Sequence, residues 1–317
     1  MFTNYPAYTQ ASGLTLLLVL LISPVSAKSN AETINNSQNI DVQFHSKISS
    51  EKKDMIRRWI NHSSDALKLV YGELPVDHFI TKIKASKRNS GVVPWGEVSR
   101  NYPPEVTLVI NPTSTLNELK ADWTIYHEFS HLLIPYDAGD ARWFSEGLAS
   151  YYQNIIQARA GMFNENKMWL KLYQGFERGR KESNYNHQKL SYLSDNIDQN
   201  HSYMRIYWSG ALYWLKADIA LRKLKPHYSL DKALHQLQKC CFDRYLSTAE
   251  ITKQLDKLTN STIFTSLFAE FSKSYSLPAY INELRSLGVN QYAGQIKLKD
   301  EAVNSHIRRA IYRGNLE

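Results

Sequence analysis

The chain has 317 residues, 43% of them hydrophobic and 21% charged, a globular balance that excludes a coreless polymer and is enough for one large domain or two tightly joined lobes. Its formal net charge of +8 is spread without long basic runs, which speaks against sequence-specific nucleic-acid binding and suits an exported protein near anionic surfaces. Only Cys240 and Cys241 are present. As sequence neighbours they are expected to be free thiols, because their Cα atoms are too close for relaxed disulfide geometry, and without a C-x-x-C pattern they are excluded from the chemistry.

Leu14 to Ile22 form an apolar run followed by Ser23-Pro24-Val25-Ser26-Ala27, where the small residues at Val25 and Ala27 fit a signal-peptidase site. Residues 1–27 read as a secretion signal. The run is too short to span a bilayer of about 30 Å, so the mature chain is expected to have no permanent membrane span and to be periplasmic or secreted. Residues 28–39 form a polar lead-in. Ile40 to His45 alternate apolar and polar and predict a strand. Met55, Ile56, Trp59, Ile60, Ala66, Leu67 and Val70 recur at helical spacing, predicting an amphipathic helix over 50–71 that stops at Gly72. Phe79 to Ile83 and Val106 to Ile110 read as further strands, the second nearly all apolar and therefore central. Between them, the glycine-containing stretch from Ser90 to Val98 carries one isolated acid, Glu97.

Thr115 and Glu118 have capping-box spacing and predict a helix from there to about Leu133. It carries His127-Glu128-Phe129-Ser130-His131. Two histidines four positions apart lie about 400° apart around a helix, so both imidazoles leave the same face one turn apart. That spacing suits a single Zn²⁺, which accepts imidazole nitrogen at about 2.0–2.1 Å. Glu128 points elsewhere, as a general base toward an attacking water would. Pro135 and the turn-rich Asp137-Ala138-Gly139-Asp140 then reverse the chain. Asp140 is the expected N-cap of a second helix over Arg142–Ala160, and Glu146 near its start supplies the expected third ligand beside His127 and His131.

The H-E-x-x-H motif followed by Trp143-Phe144-Ser145-Glu146-Gly147-Leu148-Ala149-Ser150-Tyr151 resembles the gluzincin metallopeptidases, most closely their glycyl-aminopeptidase branch. Tyr207-Trp208-Ser209-Gly210-Ala211-Leu212 is similar to the Tyr-x-Lys-Gly-Ala segment of zinc aminopeptidases, with Ser209 where that family has lysine. The resemblance implies that the Tyr207 hydroxyl stabilises the oxyanion. It also implies that Glu97, on an edge segment shortly before the histidines, binds a substrate's free amino group, although the residues flanking it depart from the family pattern.

Further helices are expected over Asn164–Arg180, Ile206–Lys223, Leu230–Cys241, Ser247–Leu258 and Thr262–Ser274, with another from Pro278 to Gly288. Residues 181–202 read as a long loop or two short turns leading into Tyr207, and their His187 and His201 as ordinary loop histidines. Residues 289–317 are basic and weakly patterned. The expected fold is α+β: a signal peptide over 1–27, a small mixed sheet in an N-terminal lobe over 28–112, a mainly helical zincin-type catalytic lobe over 113–288 and a tail over 289–317. The expected activity is hydrolysis of a peptide or protein substrate by one zinc per chain, aminopeptidase-like. The rivals are a secreted endopeptidase and a non-catalytic zinc- or peptide-binding protein of the cell envelope.

Overall fold

The first regular elements are a strand, a long helix and three more strands, and most of their apolar residues are buried. In the computed structural model, residues 40–87, 91–100, 102–135, 140–226 and 228–314 are described; the expected signal peptide lies outside them. Strands β1 (Ile40–Phe44), β2 (Phe79–Ala85), β3 (Trp95–Ser99) and β4 (Glu105–Ile110) form one sheet in the order β1-β2-β4-β3, with β3 the antiparallel edge strand. The apolar β4 is internal, as its composition predicts. Helix α1 (Ser50–Tyr71) crosses over between the parallel β1 and β2 and buries Ile56, Trp59, Ile60, Leu67 and Val70.

The single helix expected from Thr115 to Leu133 is broken. The capping box of Thr115 and Glu118 does open a helix, α2 (Leu116–Ala121), but Asp122 is extended and accepts a hydrogen bond from the Thr124 N–H at 2.8 Å. A short polar side chain that hydrogen-bonds its own backbone competes with helix continuation. The chain turns there and restarts as α3 (Thr124–Ser130), tightening into a 3-10 turn at His131–Leu133. Among the described residues no helix is long and apolar enough to cross a membrane.

Helix α4 (Arg142–Arg159) follows with a second correction. Its N-cap is Ala141, at φ 69°, and the Asp140 carboxylate instead accepts hydrogen bonds from the Thr248 N–H and hydroxyl, each at 3.0 Å. Helices α5 (Glu165–Lys181), α6 (Leu190–Asp195), α7 (Ile197–Asn200) and α8 (Tyr203–Leu224) come next. The segment from 181 to 202 holds two short helices because Leu190, Leu193 and Ile197 bury themselves against the core, and the Ser194 hydroxyl receives the Trp143 N–H that begins α4.

Helices α9 (Leu230–Cys241), α10 (Thr248–Thr259), α11 (Ile263–Ser272) and α12 (Ile281–Ser286) follow, with α9 and α11 packed against α8. At the end of α9, Cys240 and Cys241 are joined in a disulfide rather than free. The expectation weighed the spacing of relaxed bridges; a neighbouring pair closes at a Cα separation of 3.7 Å, with Cys241 buried and Cys240 at the surface. Residues 289–314 form a hairpin of β5 (Val289–Tyr292) and β6 (Gln295–Leu298) and a helix, α13 (Ser305–Arg313). Buried Arg308 fixes them by pairing with Glu165 at 2.8 Å and with Asp300. A helical lobe on a small mixed sheet is the α+β arrangement expected.

Candidate metal centre

Helices α4 and α8 approach each other more closely than side chains normally allow. A Cβ on Gly147 would lie 2.3 Å from the Gly210 Cα, and one on Gly210 would lie 1.8 Å from the Trp143 carbonyl oxygen. Only glycine at both positions permits this crossing. Glu146 precedes one glycine and Tyr207 lies one turn before the other, so the contact brings the two side chains together, near enough for the Tyr207 hydroxyl to help hold the Glu146 carboxyl down.

The predicted ligands converge on the same place. His127 Nε2 lies 3.1 Å and His131 Nε2 3.8 Å from Glu146 Oε2, and one ligand atom from each residue falls within 4.8 Å of the others. A tetrahedral zinc with bonds of about 2.0–2.1 Å would hold its ligand atoms about 3.3 Å apart, so the spacing fits. Orientation fits as well. His127 Nδ1 is hydrogen-bonded to Gln153 Oε1 at 2.8 Å, and His131 Nδ1 to Ser145 Oγ at 3.2 Å, which leaves both Nε2 atoms facing Glu146. Outer partners of this kind fix ring orientation and tautomer.

Charge follows from burial and neighbours. Burial pushes the His131 imidazolium down to about 3, against the pull of Glu146, so the ring is neutral. Burial would raise Glu146, but His131 and the hydrogen-bonded His127 hold it down to about 2 and keep it anionic. For His127, burial is outweighed by the hydrogen bond to Glu146 and the charges of Glu128 and Glu146, and the net shift is upward. One anionic carboxylate set against imidazole nitrogens is a donor set for a cation of zinc's character.

Glu128, from the next position on α3, lies against the edge strand. It is buried, and desolvation pushes its carboxyl up to about 7; His127 opposes the shift, while Glu146 and Glu97 add to it. Room for it comes from Gly96, where a Cβ would meet the Glu128 carboxyl at 2.6–3.0 Å. Glu97, the next residue on β3, is exposed and close enough for its charge to act on Glu128. The Tyr207 ring stacks on His127 with centroids 6.1 Å apart, and burial together with the charges of Glu146 and Glu128 raises its phenol well above the usual range, so it stays a donor.

All five predicted site residues are therefore in one cluster. The sequence reading missed Gln153 and Ser145, although Gln153 lies seven positions after Glu146 and so on the same helix face. It also missed the roles of Gly96, Gly147 and Gly210 as points of close approach.

Comparison with known proteins finds likenesses to both zinc-peptidase sequences and zinc-peptidase folds. The model of the M61 glycyl aminopeptidase family matches residues 136–213, which include Glu146 and Tyr207. Among solved structures, the chain is similar to an aminopeptidase N family protein from Idiomarina loihiensis, with 14% identity and a TM-score of 0.50 over 81% of this chain and 48% of that one. It is also similar to the M1 zinc metallopeptidase from Deinococcus radiodurans, with 14% identity and a TM-score of 0.45 over 78% of this chain and 51% of that one. The chain spans about half the length of these structures. No curated protein matches its sequence. The family match, over residues 136–213 only, agrees with the resemblance drawn from the motifs.

Proposed function

We propose that this chain is a zinc-dependent peptidase of the aminopeptidase type, holding one zinc on His127, His131 and Glu146. The observation that carries the reading is the His127, His131 and Glu146 cluster, with ligand atoms within 4.8 Å of one another and the buried Glu128 carboxyl at the next position to His127. When bound, zinc supplies Lewis acidity at the scissile carbonyl and a water of lowered pKa. Glu128 takes the proton from the attacking water and later delivers it to the leaving amine, a task for which a pKa near the working pH is the best compromise. The protonated Tyr207 hydroxyl is the donor we assign to the developing oxyanion.

The peptide would lie along β3, whose outer edge has backbone groups available for strand addition. Glu97 on that strand sets the choice between exo- and endopeptidase action, because an exposed carboxylate there can pair with a substrate's α-ammonium group. The test compares purified, zinc-loaded protein on free and N-acetylated forms of the same peptides. Cleavage of free peptides alone, with the selectivity lost in Glu97→Ala, is expected. Equal cleavage of blocked peptides would overturn the aminopeptidase reading in favour of an endopeptidase, and binding without cleavage would favour a non-catalytic binding protein. Export belongs to the same proposal: the mature chain should begin near Lys28, which N-terminal sequencing of the exported protein checks.

A further inference from the structure

Trp123 is out of place as a structural residue. It occupies the N-cap of α3, where a tryptophan offers no capping oxygen and makes no side-chain cap hydrogen bond. Its side chain is not in the core either. Trp59, Trp143, Trp169, Trp208 and Trp214 are buried and Trp95 is half-buried, while Trp123 is 49% exposed. The backbone beneath it is nevertheless firmly fixed. Asp122 accepts a hydrogen bond from the Thr124 N–H at 2.8 Å, and the Thr124 hydroxyl donates to the Val93 carbonyl at 3.2 Å. The helix break at Asp122 is thus tied to the segment leading into β3, with a large apolar ring held open at the tie.

The ring stands beside the metal centre. It meets the His127 imidazole edge-on, with centroids 5.5 Å apart. His127 stacks on Tyr207, Tyr207 meets Tyr203 at 6.3 Å, and Tyr203 stacks on His201 at 6.0 Å. Five rings are therefore linked in one chain of contacts that includes a candidate ligand, with Trp123 at one end. A rigid, half-open aromatic surface against a ligand cluster is how substrate sites present apolar walls.

We infer that Trp123 is a specificity-determining residue, whose open ring selects peptides carrying a large apolar or aromatic side chain next to the scissile bond. The inference rests on the proposed peptidase function. A wall of this kind discriminates on the order of 10–200-fold between a side chain that fills it and one that does not.

Two measurements test it, one of which needs no turnover. In a Glu128→Gln background, binding of phenylalanine- and alanine-containing versions of one peptide is measured by calorimetry, with tryptophan fluorescence followed alongside. The phenylalanine peptide should bind about tenfold or more tightly, and Trp123→Ala should bring the two affinities together. Trp123→Phe should keep the preference, because an aromatic wall remains, while losing the fluorescence change. In the catalytically intact protein, the ratio of kcat/KM for the two peptides should collapse in the same way, through KM. Equal preference in folded Trp123→Ala, shown by an unchanged circular dichroism spectrum and zinc content, would overturn the inference. If no peptide is cleaved but the binding preference depends on Trp123, the peptidase reading fails while the selective wall stands.

Discussion

Helices α4 and α8 carry two buried polar centres, and the two are built on opposite principles. Toward one end lie Glu146 and Tyr207 with the two histidines and Glu128. Toward the other, Asp218 pairs with Arg222 at 2.7 Å and Asp231 with Arg159 at 3.0 Å, while Tyr151 and Tyr152 donate to Asp218 and Asp231 at 3.1 and 2.7 Å. In the second centre each carboxylate meets a permanent cation, and the charges close on themselves. In the first, the carboxylates meet imidazoles, whose charge depends on their protonation. Both centres are buried and both bring together residues distant in sequence, so burial alone does not distinguish them. The identity of the partner does: guanidinium completes a structure, whereas imidazole beside a poised carboxyl leaves chemistry to be done.

Single substitutions should separate the centres cleanly. The largest effect is expected for Glu128→Gln, which keeps shape and zinc but removes the proton acceptor; turnover should fall by about a hundredfold to ten-thousandfold while metal content by elemental analysis stays the same. Full activity in the metal-loaded variant would refute the base assignment. Asp218→Ala should behave in the opposite way. Breaking a buried ion pair costs about 3–5 kcal/mol, which urea denaturation would show as a lowered midpoint, while the zinc content of the folded fraction is unaffected. Stability close to normal would mean that this centre is not closed in the sense argued. Tyr207→Phe comes next. A donor used mainly in the transition state should appear in kcat, with a loss of about 2.7–4 kcal/mol, or a hundredfold to a thousandfold, and with KM and zinc content little changed. A kcat within a fewfold of normal would leave zinc as the sole oxyanion stabiliser.

What the sequence made legible follows the same division. The metal centre could be found because helical spacing sets His127 and His131 on one face, and because Glu146 and Tyr207 stand in short motifs whose glycines the structure explains as the contact between α4 and α8. The second centre was invisible, since Asp218, Asp231 and Arg159 belong to three helices with no local pattern linking them. Strand and helix positions were legible from alternation and from capping residues; α1 and α4 fall within a residue of expectation. Two of the errors came where a side chain chose a distant or competing partner. Asp122 took the Thr124 N–H and broke a helix, and Asp140 turned to Thr248 instead of capping α4. Residues 289–314 lacked a signal because their anchor, Arg308, finds one of its acids 143 residues away at Glu165.

The finest test concerns Gln153, where the metal centre borrows a neutral partner rather than a charged one. Its side-chain oxygen accepts from His127 Nδ1 at 2.8 Å in a buried setting, which holds the imidazole in the tautomer that leaves Nε2 free for a metal. Losing an outer partner of this kind typically lowers metal affinity by about 10–100-fold. Gln153→Leu, similar in size but without an acceptor, should therefore bind zinc more weakly by that factor in a chelator competition. Gln153→Glu should bind it more tightly than the native residue, because a carboxylate on Nδ1 makes Nε2 more basic. A purely packing role predicts another order: leucine would be tolerated, and a buried carboxylate would be the damaging change. Should Gln153→Leu match the native affinity, Gln153 would belong with the closed centre, as structure rather than as part of the site.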